Sequence, residues 1–404
     1  MNILIIGGGI GGLTAAMTLH KAGHAVRVYE AVAEIRELGV GINLLPHAMR
    51  QLTALGLKNA VVAAGVPARE WALFNKHGQK IWSEPRGTEA GYKWPQVAIH
   101  RGRLQRVLYD AARDMLGADR ILTDHRFESF SEDGDTVTAK FANGAAATGD
   151  LLIAVDGIHS RARRIFYPDE GPAHYSGLLM WRGVSRAKPF LSGSTMIVAG
   201  HSTKRFVAYP ITPPGADGLC EVNWIAHLTR KELLNREDWS RPGDIAEFLP
   251  EFEGWKFDWL DIPALIRDAA ANYEFPMVDR DALPQWSFGR VTLLGDAAHP
   301  MYPIGSNGAS QAILDAACLA ECLADNADPV AALEAYEAER LPATAAIVQS
   351  NRGFGPEIVM QIAEDRAPDG FDDIEAVIPR VELEAINARY KQLAGFDRDT
   401  LNRA

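Results

Sequence analysis

Residues 2–12, Asn2-Ile3-Leu4-Ile5-Ile6-Gly7-Gly8-Gly9-Ile10-Gly11-Gly12, decide how the rest of the chain is read. Asn2 to Ile6 is a short apolar run rich in β-branched residues, as in a strand buried on both faces. Gly7, Gly9 and Gly12 then fill the three positions of G-x-G-x-x-G. The first allows a tight turn, the second lets backbone approach a pyrophosphate, and the third lets helix pack closely on strand. From Gly11 to Lys21 the residues favour a helix, whose free N–H groups and positive dipole end face the phosphates. A second strand, Ala25 to Tyr29, ends in Glu30, an acid placed to bond a ribose 2′-OH. A glycine triplet alone is weak. Strand, glycines, helix, second strand and terminal acid together point to a dinucleotide.

At 404 residues the chain exceeds one comfortable core, so two domains or one elaborated domain are expected. An apolar content of 47% with 23% charged residues is that of an ordinary globular protein. The net charge of −11 argues against a nucleic-acid partner or an anionic membrane. Cys220, Cys318 and Cys322 form no disulfide framework, which suits a reducing cytosol. Cys318 and Cys322 share a helical face, but no further ligand completes a metal site, so no metal is expected. No stretch is apolar for the ~20 residues a membrane span needs, and Met1 to Ile6 is too short for a signal peptide. A cytoplasmic protein is the expectation.

Two further segments narrow the dinucleotide. Asp156-Gly157-Ile158-His159-Ser160-Arg161-Ala162-Arg163 and Gly295-Asp296-Ala297-Ala298-His299-Pro300 each follow a run that reads as a buried strand, 151–155 and 291–294. An acid at the carboxyl end of a parallel strand sits where α/β folds bind ligands. There Asp296 can accept hydrogen bonds from a polyol such as the ribityl chain of a flavin. A helix beginning near Gly308 would aim backbone N–H groups at the flavin pyrimidine, where reduced flavin gathers negative charge. Between Tyr175 and Met277 the pattern changes to recurring strands rich in tryptophan (Trp181, Trp224, Trp239, Trp255, Trp259), which reads as an inserted, mainly antiparallel sheet covering a substrate.

Over nearly its whole length the chain resembles the class A flavoprotein aromatic hydroxylases. The likeness lies in Gly7, Gly9 and Gly12 with Glu30, in Arg101-x-x-Leu104, in Asp156-Gly157 with Ser160 and Arg163, and in Gly295-Asp296 through Gly308. It implies an α/β fold: a Rossmann-like FAD-binding domain, an inserted mainly antiparallel β-sheet substrate domain and C-terminal helices. The expected division is FAD-binding segments 1–72, 96–172 and 279–350, substrate segments 73–95 and 173–278, and a helical tail 351–404. The resemblance further implies an FAD-dependent monooxygenase of an aromatic or N-heteroaromatic, phenazine-like molecule. NADH or NADPH would reduce FAD, dioxygen would add at flavin C4a, and one oxygen would pass to the ring. With a single fingerprint, the nicotinamide has no domain of its own. The rivals are a reductase or dehydrogenase of the same fold without oxygen insertion, and an NAD-binding sensor using the first thirty residues alone. The chain is expected to act as a monomer or homodimer.

Carried over by motif, Glu30 would hold the adenosine ribose, Arg101 the FAD phosphate or ribityl region, and Asp296 the ribityl hydroxyls. Asp156 and Arg163 are candidates for FAD and nicotinamide binding, yet Asp156 reads equally as a helix N-cap and Arg163 as a solvated or phosphate-facing charge. His299 reads better as a packed residue shaping its loop, because flavin hydroxylation needs no general base there, and no catalytic side chain is assigned. One departure stands out: Gly305-Ser306-Asn307-Gly308 replaces the G-x-G of many relatives, so the flavin cradle should differ in detail. For the substrate, Trp181, Tyr209 and Trp224 of the inserted sheet and Tyr302 and Pro303 of the loop offer flat surfaces. Trp181 and Trp224 fit the sheet's own core as well. Arg182 either pairs a substrate carboxylate or points to solvent.

Overall fold

A computed structural model describes residues 1–37, 39–230 and 241–403; Trp239 lies outside them. The apolar run Asn2–Ile6 is a central strand of a six-stranded sheet, flanked in parallel by Ala25–Tyr29 and Leu151–Ala154. Val291–Leu293 and Ile121–Leu122 extend the sheet in parallel, and Ser287–Phe288 closes one edge antiparallel. Ile3, Leu4, Ile5 and Ile6 are all buried, between a layer of helices and a three-stranded antiparallel sheet of Phe127–Asp133, Thr136–Phe141 and Ala146–Gly149. Each such side chain contributes about 1.5–3 kcal/mol through burial. Helix Ile10–Lys21 packs between helices Gly308–Asp325 and Arg101–Leu116.

The ladder continues past the strands, with Val155 N–H donating to Ile6 O and Leu294 N–H to Ala154 O. The fingerprint glycines, Asp156 and Gly295-Asp296 therefore emerge side by side at one sheet edge. Three segments distant in sequence meet because their strands are neighbours.

A seven-stranded sheet runs in the order Asn272–Asp279, His174–Ala187, Cys220–Thr229, Lys204–Pro210, Thr195–His201, Glu70–Phe74, Lys80–Pro85. All its pairings are antiparallel except that of Thr195–His201 with Glu70–Phe74. The hairpin at 70–85 thus joins this same sheet. Asn272–Asp279 carries no clear strand signal in the sequence because Pro276 interrupts it; as an edge strand it tolerates the proline. Gly41–Leu44, Gln96–His100 and Gly65–Ala68 form a small antiparallel sheet in that order, its chain segments flanking the hairpin at 70–85. Among the described residues no helix is long and apolar enough to cross a membrane.

Alternation along the strands gives the large sheet two faces. Trp181, Trp224 and Phe206 point one way, into a core with Phe248, Phe252 and Trp255. Gly183 is required there: a Cβ on it would lie 2.4 Å from the Trp224 ring. Arg182, Tyr209, Ile225 and His227 point the other way, toward the dinucleotide edge. After Gly353 the chain folds back as helices Ile358–Arg366 and Arg380–Leu393, and the second of these also reaches that space.

Candidate functional site

Between the dinucleotide edge and the inward face of the seven-stranded sheet lies a cavity of about 380 Å³, within the range of small-molecule sites. At one end stands the fingerprint loop. Gly7 has φ +112, and a Cβ there would meet Val155 O at 2.4 Å; a Cβ on Gly12 would meet Gly7 O at 1.9 Å. A Cβ on Gly9 would meet nothing within 4 Å, and Gly9 lines the cavity. Two glycines are thus fixed by packing, and the third keeps backbone open to a ligand. Glu30 ends its strand with Oε2 accepting the Gly8 N–H at 2.6 Å and Oε1 the Val32 N–H at 3.0 Å. Its carboxylate is held at the loop.

Further along, Arg101 is exposed to the cleft at the start of its helix. Asp296 opens onto the same cleft while protein surrounds it on its other sides. Desolvation raises its carboxyl above the ordinary range, and His299 and Arg101 oppose the rise. Helix Gly308–Asp325 begins with no side-chain cap, so its first N–H groups face the cavity beside Asp296. An open glycine, a positive helix end, a carboxylate and a cation on one cavity are the kinds of group that the pyrophosphate, ribityl chain and flavin ring of FAD need.

The departure at 305–308 has a structural counterpart. Gly305 and Ser306 both have positive φ, and Asn307 is buried, donating from Nδ2 to Tyr390 Oη at 2.8 Å. Tyr390 Oη also lies 3.2 Å from Ile304 O and 3.0 Å from Asn351 Oδ1, and a Cβ on Gly305 would come within 2.0 Å of it. The C-terminal tail therefore props the loop, a contact with no signal in the local sequence.

Three substrate expectations need correction. Trp181 and Trp224 do not line the cavity; period-two alternation sends them to the opposite face, where Trp181 stacks on Phe248 at 4.8 Å. Tyr302 is buried with Leu178, Met180 and Met277, while its neighbour Pro303 lines the cavity. Tyr209 does line it. Desolvation pushes the Tyr209 hydroxyl up to about 12, against the pull of Arg182. Arg182 points inward rather than to solvent, donating from Nη2 to Gly41 O at 2.9 Å. No carboxylate among the described residues pairs with it.

Asp156 is not the N-cap of the following helix, a place taken by Ser160, but it supports the helix start: its Oδ2 accepts from Arg161 N–H at 2.7 Å, while Oδ1 is buried without a partner among the described residues. Burial raises its carboxyl, and Ser160 and the helix amides oppose the rise. Arg163 is neither solvated nor ligand-facing. It is buried, pairs with Glu170 and donates to Ala297 O and Ala298 O at 3.1 and 2.8 Å, pinning the Gly295-Asp296 segment. His299 is packed, its Nε2 2.6 Å from Asp315 Oδ2.

Several lining residues escape sequence reasoning: Trp71, Glu84, Arg86, Met196, His227, Asn387, Lys391. They come from separate strands, a loop and the tail, and although Glu84 and Arg86 lie in the stretch 82–87, nothing in that stretch marks them as lining a site. His227 is buried, and desolvation with Arg205 and Arg182 nearby holds it well below the ordinary imidazole range.

Residues 1–213 and 262–351 match a family model described as an FAD binding domain. Over 362 residues the chain is 46% identical to phenazine 1,6-dicarboxylic acid hydroxylase of Lysobacter antibioticus, covering 87% of this chain and 89% of that protein. It is 35% identical to aurachin C monooxygenase/isomerase of Stigmatella aurantiaca, over 84% and 85% of the two chains. A 6-hydroxynicotinate 3-monooxygenase of Bordetella bronchiseptica is 31% identical, over 84% and 87%. Among solved structures, Klebsiella pneumoniae HpxO complexed with FAD and uric acid superposes with a TM-score of 0.73 at 24% identity, covering 100% of this chain and 95% of that one. The last likeness concerns the fold.

Proposed function

The chain belongs to the FAD-dependent aromatic hydroxylases and is an oxidoreductase of the monooxygenase class, and on that premise we propose that its substrate is a planar, carboxylated N-heteroaromatic compound of phenazine type, with NADH or NADPH as electron donor. One observation carries the reading: the dinucleotide edge and a half-buried Arg182 with no carboxylate partner among the described residues open onto the same cavity. The relative named for phenazine 1,6-dicarboxylic acid supports the class. So does a resemblance of Trp82-Ser83-Glu84-Pro85-Arg86-Gly87 and Trp181-Arg182-Gly183-Val184 to 5-methylphenazine-1-carboxylate monooxygenase. A reductase without oxygen insertion is not favoured, since these relatives are hydroxylases and monooxygenases.

The redox chemistry, hydride acceptance from a nicotinamide and activation of dioxygen, belongs to FAD when bound. Gly9 and the first turn of helix Ile10–Lys21 would take its pyrophosphate and Glu30 its adenosine ribose. Arg101 would face the phosphate or ribityl region, Asp296 the ribityl hydroxyls, and the amides from Gly308 the pyrimidine edge. Asp156 acts through the helix start whose first N–H it accepts. Segments 73–95 and 173–278 supply the substrate wall. Within it Arg182 receives a carboxylate, and Tyr209, neutral at physiological pH, donates a hydrogen bond beside it. Val198, Val207 and Ile225 exclude water from the ring.

The test is NADH and NADPH oxidation by the FAD-loaded protein with a panel of aromatic and phenazine acids, assayed for peroxide and product mass. Faster oxidation with one oxygen added to a carboxylated tricycle is the expected result. A reduced or dehydrogenated product without oxygen would refute it.

A further inference from the structure

The cavity wall carries more positive charge than its motifs account for. Arg86, Arg101, Arg182 and Lys391 face Glu84, Asp296 and Glu357 in a chain whose net charge is −11. Arg101 acts on Asp296, and Glu357 is matched by the buried Arg205. Two unbalanced points remain. One is Arg182. The other is a pair of cations sharing a single carboxylate: Lys391 Nζ lies 2.7 Å from Glu84 Oε2, and Arg86 Nη2 lies 2.8 Å from Glu84 Oε1.

The sharing is uneven. Lys391 makes an aligned hydrogen bond to Glu84, whereas Glu84 Oε1 receives no aligned hydrogen bond from Arg86 among the described residues, and Arg86 Nε is buried without a partner among them. One face of the guanidinium covers the Trp71 ring, 4.7 Å from its centroid, which fixes its plane while its Nε–H stays without an acceptor among the described residues. A fixed guanidinium edge beside an ammonium is a carboxylate receptor. A single acid group cannot serve both this point and Arg182. Their strands, Lys80–Pro85 and His174–Ala187, stand five spacings apart in the sheet order, about 24 Å between backbones.

We propose that Arg86 and Lys391 form a second anion subsite at the tail end of the cavity, so that the ligand is a planar aromatic bearing acid groups at both ends. The proposal rests on the aromatic-acid reading above and adds the second acid. Glu84 holds the two cations in place and competes with the ligand for them, and the tail helix Arg380–Leu393 contributes to specificity through Lys391.

Titration of the FAD-loaded full chain, followed by the flavin absorbance change, would compare an unsubstituted, a monocarboxylated and a dicarboxylated phenazine. The dicarboxylate should bind tightest. Lys391→Gln should weaken it roughly tenfold, as for loss of a charged hydrogen bond, and leave the unsubstituted ring unchanged. Glu84→Gln, by freeing both cations, should tighten the dicarboxylate alone, an effect no merely structural role produces. Equal shifts for all three ligands, or a dicarboxylate no tighter than the monocarboxylate, would overturn the subsite while leaving the aromatic-acid reading intact. If none of the three binds, the substrate reading falls and the subsite with it.

Discussion

At Gly12 a methyl group would sit 1.9 Å from Gly7 O, and at Gly9 it would meet nothing within 4 Å, although both belong to one motif. The two positions should therefore fail differently. Gly12→Ala forces the helix away from its strand at a cost of about 1–3 kcal/mol or more, so both apo-protein stability and flavin retention should fall. Gly9→Ala should leave the apo-protein melting temperature unchanged and weaken only FAD affinity, because its methyl enters open space where the pyrophosphate is proposed to bind. Thermal melts with and without added FAD separate these outcomes. The same contrast explains legibility at this scale. The glycine spacing is readable in the sequence, whereas which glycine is packed and which is open follows from Val155 and Gly7 O lying against them.

Along strand His174–Ala187, one residue of register separates the core from the cavity: Trp181 is packed on Phe248 and Arg182 faces the ligand space. A strand pattern with apolar and polar residues on both faces does not tell which face a ligand takes. Trp224→Ala should lower unfolding free energy by about 3–5 kcal/mol as a core truncation, measured by denaturant titration, with KM for the aromatic acid unchanged in the folded fraction. Helices Gly308–Asp325 and Pro329–Arg352 and the Gly295 loop meet at Asp315, which accepts from Arg340 Nε at 2.8 Å and Gly295 N–H at 3.1 Å and contacts His299. Burial alone would raise its carboxyl, but His299 and Arg340 outweigh burial and draw it to about 2, below the ordinary 3.8. The folded chain then holds this proton more weakly than the unfolded chain. The resulting stability is complete above 3.8 and is lost as pH falls through about 2. Asp315→Asn should cost about 3–5 kcal/mol at pH 7, a deficit that shrinks in acid unfolding curves toward pH 2.

Across the whole molecule, the tail closes the site from the side opposite the fingerprint. Tyr390, Asn387 and Lys391 line the cavity, and Tyr390 Oη receives Asn307 Nδ2–H beneath the loop at 305–308. Tyr390→Phe should leave a buried amide donor short of its acceptor, at about 1–3 kcal/mol. The holoenzyme should lose stability by that amount and release more peroxide per nicotinamide oxidised, as the loosened loop admits water. An unchanged peroxide fraction would confine Tyr390 to a packing role.

By itself the sequence determined the dinucleotide edge, the strands that carry its three motifs and the flavin chemistry that goes with them. Those signals are local: a glycine turn, a buried strand and an acid at its end lie within thirty residues of one another. Only the tertiary structure decided which side chains line the cavity. Trp71, Arg86, Arg182, Tyr209, His227 and Lys391 come from strands and a tail helix that span most of the chain. Their meeting depends on sheet order and strand register, and both are set by packing between distant segments.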